Sequence, residues 1–149
     1  HFESADDGHT WAPVSIIGPK HNETDLFPLS DGSWLAAARI EAMELFHSTD
    51  NGRTWTSLGK PTARNEINGH LCQLKDGRLL LTYGVCAKTS SDGGKTWSEP
   101  VRLTHSKISD CGYPSSVQRA DGKIVTASYS KDAPEYAGYH MSVAVWSVP

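Results

Sequence analysis

An eight-residue phrase recurs three times in this chain, 44 and then 42 residues apart. It reads Ser4-Ala5-Asp6-Asp7-Gly8-His9-Thr10-Trp11, then Ser48-Thr49-Asp50-Asn51-Gly52-Arg53-Thr54-Trp55, then Ser90-Ser91-Asp92-Gly93-Gly94-Lys95-Thr96-Trp97. Each copy fits Ser-x-Asp-x-Gly-x-Thr-Trp. A period of roughly 40 to 50 residues marks a propeller or a solenoid built from one repeated supersecondary unit. The phrase has its own mechanics: Ser and Asp bond backbone N–H groups in a tight turn, and Gly supplies φ > 0. Thr-Trp then re-enters a strand with a large apolar anchor.

A second repeat interleaves with the first. Leu29-Ser30-Asp31-Gly32, Leu74-Lys75-Asp76-Gly77 and Arg119-Ala120-Asp121-Gly122 place their aspartates 45 residues apart both times. Asp-Gly between apolar alternations predicts a hairpin, with a type I′ turn in which both central residues need φ > 0. Segments 26–29, 33–37, 79–83, 123–127 and 141–146 read as strands, and no long window shows a helical period. One unit is therefore strand, Asp-Gly turn, strand, connection, strand, octet turn, strand: a four-stranded propeller blade. The expected fold is all-β. Residues 1–17 would supply the end of one blade, 22–61 and 66–104 two whole blades, and 112–147 a final blade lacking its fourth strand.

With 149 residues the chain covers about three blades, whereas rings typically have four to eight. The expectation is a piece of a longer protein, or a chain that closes its ring by pairing with a second copy as a homodimer. Net charge is −3 with both signs interspersed, which gives no reason to expect nucleic acid or an anionic membrane as partner. No apolar run approaches a bilayer span, and no leader is recognisable. The compartment stays open; secretion or a periplasmic location would fit a chain whose leader had been removed. Cys72, Cys86 and Cys111 form no Cys-x-x-Cys pair and read as reduced core or wall residues. No histidine spacing suggests a metal, and no cofactor motif is present. Asn22-Glu23-Thr24 fits a glycosylation acceptor.

Strand direction separates two faces. The Asp-Gly turns and the octets lie on one face of the ring, so the start of strand one and the end of strand two lie on the other. Glu23, Asn68 and Tyr113 stand eight residues before the three Asp-Gly aspartates, and Arg39, Gly84 and Tyr129 eight after them. These six positions should ring the face opposite the octets.

The octets resemble Asp-boxes, also called bacterial neuraminidase repeats, the hallmark of sialidases, which are six-bladed propellers. The stretch from Asn22-Glu23 to Arg39 resembles the sialidase segment in which Asn-Glu opens a strand and Arg closes the next. Gly112-Tyr113-Pro114-Ser115-Ser116-Val117 is similar to the segment carrying the nucleophilic tyrosine, and Tyr139–Trp146 to the family's last strand. The resemblance covers nearly the whole chain, as a C-terminal portion. It implies a sialidase-type glycoside hydrolase that removes terminal sialic acid or a related acidic sugar from glycans. Tyr113 would be the nucleophile, Glu23 its activating base, and Arg39 one of three arginines gripping the substrate carboxylate. A neutral phenol suits a sugar whose anomeric carbon bears a carboxylate, because a carboxylate nucleophile would meet like charge. Arg suits the clamp through its planar fork.

The pattern also departs from the family. The first arginine and the acid/base aspartate belong to blades outside this chain, and Cys86 stands where the remaining arginine is expected. Arg64 and Lys88 are the cations left to stand in for it. A plainer reading has Tyr113 packing by its ring and Glu23 pairing with Arg39 as a surface ion pair. The alternative function is a non-catalytic propeller, a glycan-binding or protein-interaction scaffold. There, exposed Trp34, Tyr129, Tyr136 and Tyr139 would stack on sugars, with the irregular loop 130–138 as rim.

Overall fold

The computed structural model describes residues 1–106 and 111–149, and no helix occurs among them. The described strands form four antiparallel sheets, each built from consecutive strands. β1 (Phe2–Glu3) pairs with β2 (Ala12–Pro13). The second sheet holds β3 (Thr24–Pro28), β4 (Trp34–Arg39), β5 (Met43–Ser48) and β6 (Thr56–Gly59). The third holds β7 (Gly69–Gln73), β8 (Leu79–Tyr83), β9 (Cys86–Ser90) and β10 (Val101–Arg102), and the fourth β11 (Gly112–Gln118), β12 (Ile124–Ala133) and β13 (Tyr136–Trp146).

The octets join β1 to β2, β5 to β6 and β9 to β10 through one repeated set of bonds. In the second, Ser48 Oγ donates to Asp50 Oδ1 (2.8 Å) and accepts from Gly52 N (2.8 Å). Asp50 also accepts from Thr54 N at 2.9 Å and Thr54 Oγ1 at 2.6 Å, and Trp55 Nε1 donates to Gly52 O at 3.1 Å. The Thr96 and Thr54 bonds hold the Asp92 and Asp50 carboxyls down to about 2, against an ordinary 3.8. A carboxyl lowered in the folded state stabilises it above its unfolded pKa, and that contribution disappears as pH falls from about 4 toward 2. Asp50→Asn is therefore expected to flatten the fall in unfolding temperature over that window. An acid melting profile unchanged by the substitution would remove the octet carboxylates from the acid response.

The Asp-Gly hairpins differ from the expected type I′ geometry. Only the glycines turn left-handed, with φ of 85° at Gly32, 88° at Gly77 and 85° at Gly122. Leu29 N donates to Ser33 O (2.8 Å) and Gly32 N to Leu29 O (3.0 Å), and the same pattern recurs at Leu74/Arg78 and Arg119/Lys123. This is a three-residue loop, a type I turn closed by a glycine bulge, which asks φ > 0 of one residue instead of two. The aspartate stays right-handed, where its carboxylate caps the backbone N–H two residues on: Ser33 at 2.9 Å, Arg78 at 3.1 Å and Lys123 at 3.1 Å.

Successive sheets stack through faces of alternating residues. Leu35, Ala37 and Leu45 of the second sheet meet Leu71, Leu79 and Leu81 of the third, while Ala36, Ala38 and Phe46 cover the opposite face. Leu80 and Ala87 of the third sheet meet Ile124 of the fourth. β4 and β8 are covered on both sides, hence their unbroken apolar runs. A fully buried leucine here contributes roughly 1.5–3 kcal/mol. Four polar side chains of the interface bond one another: Ser116 Oγ lies 3.1 Å from Thr82 Oγ1 and 2.9 Å from Thr126 Oγ1, and Trp146 Nε1 donates to Thr126 Oγ1 at 3.0 Å. On the other face of the fourth sheet, Val117, Met141, Val143 and Val145 are exposed.

Segment 130–138, expected as an irregular rim, is instead the tip of the β12–β13 hairpin. Lys131 pairs with Tyr139 and Ala133 with Tyr136 across a register shift. Its composition hides the ladder, because Asp132 (φ 51°) and Gly138 (φ 81°) absorb a bulge that Gly138 N closes on Asp132 Oδ1 at 2.7 Å. Trp34, read as exposed, is half-buried beside the His1 ring.

Candidate active site

The antiparallel meander brings the ends of β3, β4, β7, β8, β11 and β12 to one side. Glu23 immediately precedes β3 and faces Arg39 at the end of β4; Arg39 N donates to Glu23 O (2.9 Å) and Asn22 N to Arg39 O (3.0 Å). Their side chains meet again: Arg39 Nη1 bonds Glu23 Oε2 at 2.5 Å. Tyr113, second residue of β11 and 45% exposed, donates from Oη to Glu23 Oε1 at 2.8 Å. Arg39 Nη1 also stands 3.3 Å from Tyr113 Oη and 3.1 Å from Asn68 Oδ1. Glu23, Arg39 and Tyr113, distant in sequence, thus form one hydrogen-bonded group.

All six positions read from the repeat spacing lie at this end. Tyr129 pairs with Gly112 and stacks on Tyr113, ring centroids 5.8 Å apart at 16°. Gly84 contributes backbone, packed against Gly112. Asn68, given no role from sequence, is buried within the cluster. The signal that could have marked it is its register equivalence to Glu23 and Tyr113. A cavity of about 180 Å³ opens beside them, with Asp25 and His70 also in its wall.

The electrostatics follow from the pairing. The Arg39 hydrogen bond, and after it the Tyr113 hydroxyl, hold the Glu23 carboxyl below its usual range; Glu23 in turn raises Arg39. Glu23 is thus ionised at neutral pH and is placed to accept the phenolic proton. Arg39 meets three acceptors through Nη1 alone, while Nε and Nη2 have no partner among the described residues. That edge of the fork can take a carboxylate bidentately.

The expected stand-in cations are elsewhere. Arg64 is largely exposed and lies 4.0 Å from Glu41, and Lys88 Nζ donates to Pro61 O at 2.8 Å. Cys86 opens β9 opposite Tyr83, its thiol pushed up by burial, and burial raises Cys72 to about 11. Neither thiol is a nucleophile at neutral pH. Among the described residues no group of His, Cys, Asp and Glu has the arrangement of a metal site.

Residues 1–131 match the BNR repeat-like domain family. The chain belongs to that family. Among curated proteins none matches the sequence. Its fold recurs in a Dyadobacter fermentans protein of unknown function (TM-score 0.80, 23% identity), covering 99% of this chain and 45% of that one. It is similar to an α-L-arabinanase of Penicillium chrysogenum complexed with arabinobiose (TM-score 0.70, 19% identity), covering 91% of this chain and 48% of that one. It is also similar to the intramolecular trans-sialidase of Ruminococcus gnavus in complex with oseltamivir carboxylate (TM-score 0.61, 19% identity), covering 98% and 40%. This BNR-repeat chain therefore has the sialidase and arabinanase type of β-propeller fold and spans about half the length of those structures.

Proposed function

We propose that Tyr113, Glu23 and Arg39 form the reaction centre of a glycoside hydrolase acting on a terminal acidic sugar of the sialic acid type. The observation that carries this reading is the 2.8 Å bond from Tyr113 Oη to the Glu23 carboxylate, with the Arg39 guanidinium 3.3 Å from the same oxygen. A surface ion pair alone does not call for a phenol bonded to both of its partners. Glu23 accepts the phenolic proton as Tyr113 Oη bonds the anomeric carbon, and the bond from that carbon to the leaving oxygen breaks. Water then cleaves the sugar–tyrosine link, its hydroxyl staying on the sugar and its other proton passing through solvent to the released leaving oxygen, and Tyr113 recovers its proton from Glu23. The free edge of Arg39 holds the sugar carboxylate throughout. Glycan-directed ligands in two structures of this fold, arabinobiose and oseltamivir carboxylate, agree with a sugar site.

The test is hydrolysis of a fluorogenic aryl sialoside beside an aryl arabinofuranoside, since a phenol leaves with little help from an acid. Sialoside turnover supports the proposal, and turnover of the arabinoside alone would replace the acidic sugar by a neutral one. Saturable binding without turnover of either would make the domain a glycan-binding scaffold. Glu23→Gln is expected to lower sialoside turnover by roughly 10²–10⁴-fold, the usual range for losing a positioned base. Because Arg39 lowers the Glu23 carboxyl, the acid limb of the rate profile should lie below the ordinary glutamate range.

A further inference from the structure

We infer that Asn68 is a positioning residue, whose amide fastens the Tyr113 segment to the Arg39 guanidinium and so sets nucleophile against cation. The role rests on the hydrolase reading above, but part of its test does not. Asn68 is 5% exposed and stands at φ 65°, a left-handed conformation that Asn tolerates better than most residues. Its amide has one workable orientation. Nδ2 donates to Cys111 O at 3.2 Å and Oδ1 accepts from Arg39 Nη1 at 3.1 Å. A flip would set donors against the guanidinium and oxygen against oxygen.

The contacts behind it close a loop. Cys111 is two residues before Tyr113, and Gly112 between them lies against the Gly84 backbone. Gly84 N donates to Ile67 O at 2.9 Å, and Ile67 precedes Asn68. The two strand ends carrying Asn68 and Tyr113 are thus joined through backbone on one side and through the Asn68 amide on the other. Tyr113 itself sits at φ 41°, a conformation that bulky residues hold only where surroundings enforce it. Besides Tyr113's own hydroxyl, the Asn68 amide ties that segment to Arg39, holding Cys111 O with Nδ2 and the guanidinium with Oδ1.

Asn68→Gly removes both amide bonds and keeps the left-handed backbone without a Cβ cost. Two readouts follow. In a crystal structure of the variant, the Tyr113 Oη to Arg39 Nη1 distance should open beyond 4 Å; a distance still within about 3.5 Å would overturn the inference. With the aryl sialoside, kcat should fall about 10²-fold, the effect of roughly 1 Å misplacement, while KM stays within about threefold because the free Arg39 edge still binds carboxylate. An unchanged kcat, or a loss in KM alone, would equally overturn it. Were the parent chain to turn over no sialoside, the hydrolase reading would fall, and the crystallographic distance would still decide whether Asn68 positions the pair.

Discussion

Tyr113→Phe is expected to lower hydrolysis of a fluorogenic sialoside by about three orders of magnitude or more, while the fold and its melting temperature hold. The substitution removes one oxygen, and that oxygen is the atom proposed to bond the anomeric carbon. Deleting a nucleophile removes the covalent route itself, so the loss should exceed that from Glu23→Gln, which leaves the phenol in place. Stability should respond little. Tyr113 is 45% exposed, and its ring keeps the stack on Tyr129; surface changes of this kind usually stay within about 0.5 kcal/mol. Ligand binding through Arg39 should survive, which separates lost chemistry from lost recognition. Turnover equal to that of the parent would exclude Tyr113 as nucleophile.

Gly112→Ala carries the largest expected cost in stability, about 3–5 kcal/mol. A Cβ at this position would lie 2.0 Å from Gly84 O and 2.6 Å from the Gly84 carbonyl carbon. Both are backbone atoms, so no rotamer relieves the overlap, and separating the strands disturbs the interface between the third and fourth sheets. The φ of 94° adds strain for any L side chain. Gly84→Ala is the control. Its φ is 47°, its nearest atom is Ile67 O at 3.9 Å, and the left-handed backbone alone should cost about 1 kcal/mol. Urea unfolding at constant m-value compares the two. Equal midpoint shifts would show that the close approach of Gly112 to Gly84 does not govern packing there. Because Gly112 adjoins Tyr113, the variant should also lose sialoside turnover, for want of a properly held nucleophile.

Much of this architecture was readable because its determinants are local. An octet whose Ser, Asp, Gly and Thr are bonded together within seven residues, as Ser48, Asp50, Gly52 and Thr54 are, announces its turn wherever it occurs. Three at near-constant spacing announce a repeated unit. Counting eight residues from each Asp-Gly aspartate reached Glu23, Arg39, Asn68 and Tyr113, because in an antiparallel meander strand length and direction decide which end a residue occupies. Other features escaped this reading. The type I turn with a glycine bulge and the type I′ turn share the Asp-Gly signature, and the choice depends on register across the strands. The extension of β12 and β13 to Ala133 and Tyr136 is held by cross-strand pairing, which a stretch of Asp, Pro and Gly does not suggest.

What the sequence determined by itself is the list of parts: an all-β chain of repeated sheets, the strand ends that share a face, and the residue types there able to carry glycoside chemistry. Tertiary structure decided their relations. That Arg39 serves Glu23, Tyr113 and Asn68 through one nitrogen, while Arg64 and Lys88 turn to Glu41 and Pro61, depends on distances between residues 16 to 74 positions apart in the chain. Local propensity has no access to such separations. They are set by sheets stacking through buried Leu and Ala faces, and by two glycines, Gly84 and Gly112, that let neighbouring backbones touch behind the site.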